Sequence, residues 1–308
     1  MSPILSISEL KDDIRDLINM PRRQHELHAD LASWNTLCSA LDVIGDTELA
    51  LEAYASWECR SEDGEKYLLV YGALQVMEVQ QDAVKYVCQT LAVPCSSPKE
   101  LASIRLIRND AIGHAMRGKQ EKVFKSSFIQ RFDMTQRDFM LLTVYPDRRD
   151  YAHRRINMVE LMDVQRSFLT ENLRAAVDKL RSDEMVHRNK HKGELLQDLF
   201  PDSLGYLFSK ITEMSPLSGL HLREVKGVLL QFREALEKRG EWRKDSGAVY
   251  YYELAEYAAN ELENYFNPEQ TRRLNEKDVL IFASFLNNQM EELRAIAKEI
   301  DHEYASTV

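Results

Sequence analysis

Apolar residues recur at helical spacing over most of this chain. Ser6 and Glu9 fit a capping box, and the helix they begin is predicted to stop near Pro21. Leu27, Leu31, Trp34, Leu37, Cys38 and Leu41 then mark one face of a helix expected from about Arg22 to Ile44. Gly45 and Asp46 read as its break, with a short helix following through Trp57. The longest pattern follows the polar stretch 61–65 and ends before Pro94. It is apolar on most sides but carries a polar line, Tyr71, Gln75, Glu78 and Asp82, at spacings of four, three and four. Such a line must face a groove, a partner, solvent or another helix with hydrogen bonds to offer.

A loop at 94–98 leads into a helix expected from Lys99 to about Ile112. Between Ser126 and Met158 the period shortens, and three short runs predict a small antiparallel meander at about 126–158. Helical periodicity resumes after Val159. The charged stretch 181–194 reads as the best domain boundary, and the helical patterns beyond it, at about 194–211, 219–238, 248–266 and 275–304, predict a C-terminal bundle. The expected organisation is a mainly α protein with an N-terminal helix at 1–22, a helical domain at 23–190 holding the β-meander, and a C-terminal helical domain at 191–308.

Composition narrows the class. Glycine (11) and proline (8) are scarce, as a helical chain requires. No stretch approaches the roughly 18 apolar residues of a membrane span, and the first residues lack a signal-peptide pattern, so a cytoplasmic protein with no membrane association is expected. Cys38, Cys59, Cys88 and Cys95 are scattered without CxxC spacing and read as free thiols, with no metal site and no cofactor expected. His187 and His191 have no third ligand beside them and read as an exposed interdomain segment. The aromatic-rich run 250–266 is at helical spacing and reads as core or as a partner surface. A net charge of −10 excludes a protein that coats nucleic acid over its whole surface, though not a local basic site. There is no P-loop, GxGxxG, GxSxG or kinase signature.

One stretch carries candidate chemistry. Residues 104–114, IRLIRNDAIGH, end an apolar helical pattern with Arg108, Asn109 and His114. Spacing alone decides nothing, because arginines five to seven places before a histidine are expected about twice by chance in such a chain and occur five times here. Context separates this pair from the others. On an uninterrupted helix, residues six apart diverge by about 120°, but Gly113 is a natural C-terminal stop that lets His114 turn back toward the last turn. A guanidinium can clamp a phosphate and an imidazole can move protons without a metal, which suits phosphodiester chemistry. Asn109 or Asp110 could orient the histidine or hold a substrate hydroxyl. From Lys99 to Arg131 the chain holds eight basic residues against three acidic ones. Arg105, Arg117, Lys119 and Lys122, with Asp110, are therefore candidate substrate-binding residues, and Phe124, Phe128 and Tyr151 are candidate stacking surfaces for unpaired bases.

At these residues the sequence resembles the HEPN superfamily, whose signature is an arginine, usually a polar residue, then four to six residues and a histidine. The long helix before the motif is similar to that of bacterial HEPN-like proteins, and the resemblance covers roughly residues 25–185. It implies a four-helix core, often homodimeric, with the motifs of two protomers facing each other across a composite site. It also implies a metal-independent endoribonuclease, serving as a toxin or in antiviral defence and leaving a 2′,3′-cyclic phosphate. His114 would then act as general acid or base, Arg108 would stabilise the transition state and Asn109 would assist. The group's usual proline after the histidine is Ala115 here. The resemblance also admits a non-catalytic module that dimerises or binds a nucleotide or protein, and a toxin held silent by an antitoxin or defence-system partner protein.

Overall fold

The computed structural model describes residues 6–57, 62–112, 125–135, 137–145, 150–270 and 273–306. It is mainly helical with one small antiparallel sheet, as the periodicity predicts. Contacts divide the chain into unit 1, residues 1–180, and unit 2, residues 181–308.

Unit 1 begins with α1 (Ile7–Ile18) and α2 (Pro21–Leu27). The capping box forms: Ser6 Oγ accepts from the Glu9 amide at 3.2 Å, and a Glu9 carboxylate oxygen accepts from the Ser6 amide at 2.7 Å. Helix α3 (Leu31–Ser56) departs from the expected pattern. The chain breaks at Asp30, whose carboxylate accepts from the amides of Ala32 and Ser33 and so caps a new helix. That helix then runs through Gly45 and Asp46 without interruption. A mid-helix glycine weakens a helix without ending it, and Gly45 lies against the Lys11 side chain of α1.

Helix α4 (Asp63–Thr90) is followed by α5 (Lys99–Ile112), which starts at the expected residue. Ala92, at φ 52°, closes α4: its amide bonds Gln89 O at 3.2 Å while the Val93 amide bonds Cys88 O at 2.8 Å. The strands β1 (Ser126–Ile129), β2 (Asp138–Tyr145) and β3 (Asp150–Asn157) form an antiparallel meander in that order, with Ile129 opposite Leu141 and Phe139 opposite Ile156 on the buried face. Helix α6 (Met158–His191) follows, and the division between units falls within it. Helices α1, α3, α4, α5 and α6 and the buried sheet residues share one apolar core.

Unit 2 contains the end of α6 and helices α7 (Leu204–Thr212), α8 (Ser218–Arg239), α9 (Gly247–Phe266) and α10 (Glu276–Ala305) around a second core. The helix expected over 194–211 starts only at Leu204, because Asp301 accepts from the amides of Leu196 and Gln197 and holds that segment as a short 3₁₀ turn before Pro201. The stretch 187–191, expected to be an exposed interdomain segment, is helical. His191 is buried against Tyr304, and His187 Nε2 lies 2.9 Å from the Tyr304 hydroxyl. Among the described residues no helix is long and apolar enough to cross a membrane.

Candidate functional site

Helices α4 and α5 run antiparallel, and the polar line of α4 faces the arginines of α5. Arg108 Nε lies 3.0 Å from Gln75 Oε1 and 3.0 Å from Glu78 Oε2. Its Nη2 donates to the same Gln75 oxygen at 2.5 Å, and its Nη1 donates to Asn109 Oδ1 at 3.0 Å. One turn back, Arg105 donates from Nε to Gln81 Oε1 at 3.0 Å, pairs through Nη2 with Asp82, and places Nη1 3.9 Å from Glu78 Oε1. The result is a ladder, Gln75–Arg108–Glu78–Arg105–Asp82. It forms because arginines three apart on one helix meet acceptors three and four apart on its neighbour. Tyr71, first in the polar line, stands outside the ladder against the Tyr67 ring at 5.7 Å, and burial pushes its phenol pKa up.

The ladder decides what the arginines can do. Arg108 commits Nε and one hydrogen on each terminal nitrogen. Among the described residues, one N–H on Nη1 and one on Nη2 keep no acceptor, and the side chain remains partly exposed. Those two donors remain for phosphate or carboxylate oxygens, the anions a guanidinium suits. The same ladder removes net charge. Lys125 pairs with Asp110 at 3.0 Å, Arg131 with Asp63 at 3.4 Å and Arg155 with Asp138 at 2.9 Å. Asp110, a candidate substrate ligand, is therefore engaged by Lys125. Arg155 holds the Asp138 carboxyl below its usual range. Arg105, Arg108, Lys125 and Arg131 of the basic segment are thus each balanced by a carboxylate.

His114, Arg117, Lys119, Lys122 and Gly113 lie outside the described residues, as does Phe124. The structure brings together Arg105, Arg108 and Asn109 from the candidate group, and adds Gln75, Glu78 and Asp82. On the outer face of the sheet, Phe128, Leu142 and His153 stand in register across the three strands, and Tyr151 packs edge-on to His153 at 5.5 Å. Phe128 and Tyr151 are both exposed.

Four residues behind the ladder escaped sequence reasoning. Gln81 Nε2 donates to Gln165 Oε1 at 2.9 Å, Gln165 Nε2 donates to Gln80 Oε1 at 2.9 Å and to Met77 O, and Gln80 Nε2 donates to Glu48 Oε2 at 3.3 Å. Each amide donates in the same direction, so an unbroken chain of hydrogen bonds crosses the core from the Arg105 cation to the Glu48 anion. Bonds aligned in this way polarise one another. Gln80, Gln81 and Gln165 are fully buried or nearly so. Asn172, also buried, accepts from the Ser96 amide at 2.8 Å and donates to Ser96 O at 3.2 Å, which pins the loop before α5 and sets that helix on α4. Their sequence signal is weak: polar residues on apolar helices, with partners 32 to 88 positions away.

Among the described residues no three histidine, cysteine, aspartate or glutamate side chains converge as a metal-ligand set. No protein-family model, curated protein or solved structure matches this chain.

Proposed function

We propose that the protein is a metal-independent endoribonuclease of HEPN type, in which Arg108 grips the scissile phosphate, His114 moves the protons and Asn109 holds Arg108 in place. The observation that carries this reading is the state of Arg108: a guanidinium fixed on three sides by Gln75, Glu78 and Asn109, with one donor on each terminal nitrogen left for a ligand. A fixed fork contributes orientation, which is what transfer at phosphorus demands. Arg105, Arg117, Lys119 and Lys122 contact the RNA backbone in this reading. Unpaired bases stack on Phe128 and Tyr151. A homodimer would bring two such groups to one composite site, in a toxin or defence role held in check by a partner protein.

The test is incubation of purified protein with RNA in EDTA. Cleavage leaving 2′,3′-cyclic phosphate ends is expected, falling about 10²–10⁴-fold in His114→Ala and Arg108→Ala proteins that retain the wild-type circular dichroism spectrum. Intact RNA, or equal cleavage by either variant, refutes it.

A second reading is favoured by one observation. Arg105, Arg108, Lys125 and Arg131 each have a carboxylate partner, so the segment offers little net charge to RNA. The chain would then be a non-catalytic module that dimerises or binds a nucleotide or protein. In that case Arg108→Ala changes complex formation or stability and leaves RNA untouched.

A further inference from the structure

Helices α9 and α10 bury one apolar face and expose another. Tyr252, Ala255, Ala259 and Leu262 of α9 and Val279, Ala283, Leu286 and Met290 of α10 form part of the unit 2 core. Away from that seam, Tyr250 and Tyr257, seven apart on α9, are 60% and 59% exposed. On α10, Ile281 is 66% exposed, and Phe285 follows it by one turn at 37%. Tyr257 and the partly buried Phe282 meet with ring centroids 6.3 Å apart, which joins the two rows into one strip across both helices. An apolar strip of this kind on a folded surface marks an interaction site.

Charge selects the occupant. Helix α9 carries Glu253, Glu256, Glu261 and Glu263 and no lysine or arginine. Helix α10 carries seven acidic residues against three basic ones. Among the described residues, Glu253 and Glu261, on the exposed side of α9, and Glu292 of α10 have no cationic partner. Two copies of such a face would meet like charge with like charge, and an anionic membrane surface would be repelled as well. We propose that the α9/α10 strip docks a basic amphipathic helix of a partner protein, whose apolar residues at helical spacing lie along Tyr250, Tyr257, Ile281 and Phe285 while its lysines and arginines meet Glu253, Glu261 and Glu292. In this mode of amphipathic-helix recognition the aromatic anchors supply affinity and the acidic rim supplies partner choice. It is independent of the reading of Arg108.

The test starts from a displayed library of random 16-residue peptides selected on the full chain. Winners are then measured by fluorescence anisotropy against wild type, Tyr257→Ser/Ile281→Ser and Glu253→Lys/Glu261→Lys proteins. These are surface changes, and unchanged melting curves verify the fold. The expected winners are net positive, with apolar residues at helical spacing. They should lose at least about tenfold in affinity on the first variant, and about tenfold or more on the second at low salt, with a smaller loss at high salt. An absence of winners, winners without positive charge, or winners that bind Tyr257→Ser/Ile281→Ser equally well would overturn the proposal. So would a wild-type dimer, seen by sedimentation velocity, that this variant converts to monomer, because the strip would then belong to a second copy.

Discussion

Replacing Gln165 by leucine tests whether the buried amide chain holds unit 1 together. The substitution keeps a similar volume but removes both the acceptor used by Gln81 Nε2 and the donor used by Gln80 Oε1. Met77 O also loses a donor but keeps its place in the α4 helix. Each of the two amide groups left unpaired in a dry core costs about 1–3 kcal/mol, together about 2–6 kcal/mol. The added apolar burial of leucine returns about 1 kcal/mol. A net loss of about 1–5 kcal/mol is therefore expected, measured by urea unfolding followed by circular dichroism. Hydrogen exchange should show the loss of protection centred on α4 and α6 near residues 77–84 and 165. A double-mutant cycle with Gln81→Met sharpens the point. Removing both members of one hydrogen bond leaves fewer orphans than removing each separately, so the double variant should be more stable than the sum of the singles by about 1–2 kcal/mol. A loss below about 0.5 kcal/mol for Gln165→Leu, or strict additivity in the cycle, would refute the claim that the chain is a connected structure.

Three further outcomes follow from other parts of the molecule. Burial, then the positive charges of His187, Arg239 and Lys190, push the His191 pKa down, with Glu194 opposing. The unfolded chain therefore takes up a proton first as pH falls below about 6.5, so unit 2 should lose stability from about pH 7 to pH 5 at no more than about 1.4 kcal/mol per pH unit. That slope should shrink in a His191→Leu protein, and an unchanged slope counts against the assignment. Burial, with the Cys95 thiol beside it, pushes the Cys88 thiol up to about 12, so in native protein at pH 8 mass spectrometry should find Cys88 essentially unalkylated by iodoacetamide. Rapid labelling there would contradict its burial. Ala92 sits at φ 52°, where a β-carbon is strained, so Ala92→Gly should raise stability by about 0.5–1 kcal/mol in thermal or urea unfolding, and a loss would show that the strain is relieved in another way.

Much of this architecture is legible in the chain because its signals are local. Helix α5 starts where Pro98 and its apolar period predict, and α9 and α10 fall within a residue or so of their expected bounds. The polar line Gln75, Glu78, Asp82 marks the face of α4 that meets Arg108 and Arg105. What the pattern misses is set by distant contacts. Gly45 and Asp46 resemble a helix end, yet α3 continues because Ile44, Thr47 and Leu51 on both sides are buried in the core. The true break, at Asp30, turns on one carboxylate reaching two amides. His191 belongs to a charged run that reads as solvated, and only α10, more than a hundred residues later, buries it. Gln165 and Asn172 carry no spacing signature because nothing in α6 itself requires an amide there.

The ladder also changes what kind of nucleic-acid contact α5 can make. Loose lysines and arginines bind RNA by releasing counterions, which gives affinity without position and a steep dependence on salt. Arg105 and Arg108 have already exchanged those counterions for Asp82 and Glu78 within the fold, so little is left to release. A phosphate reaching Arg108 meets a neutralised guanidinium whose remaining donors point in fixed directions. The gain is in geometry, donors held in fixed directions, rather than in net attraction. The same logic would reconcile a chain of net charge −10 with the phosphate-binding role proposed for Arg108: recognition at one phosphate by oriented donors needs no basic surface around it. It also locates the sensitivity of the site in Gln75 and Glu78, which give Arg108 its direction, as much as in Arg108 itself.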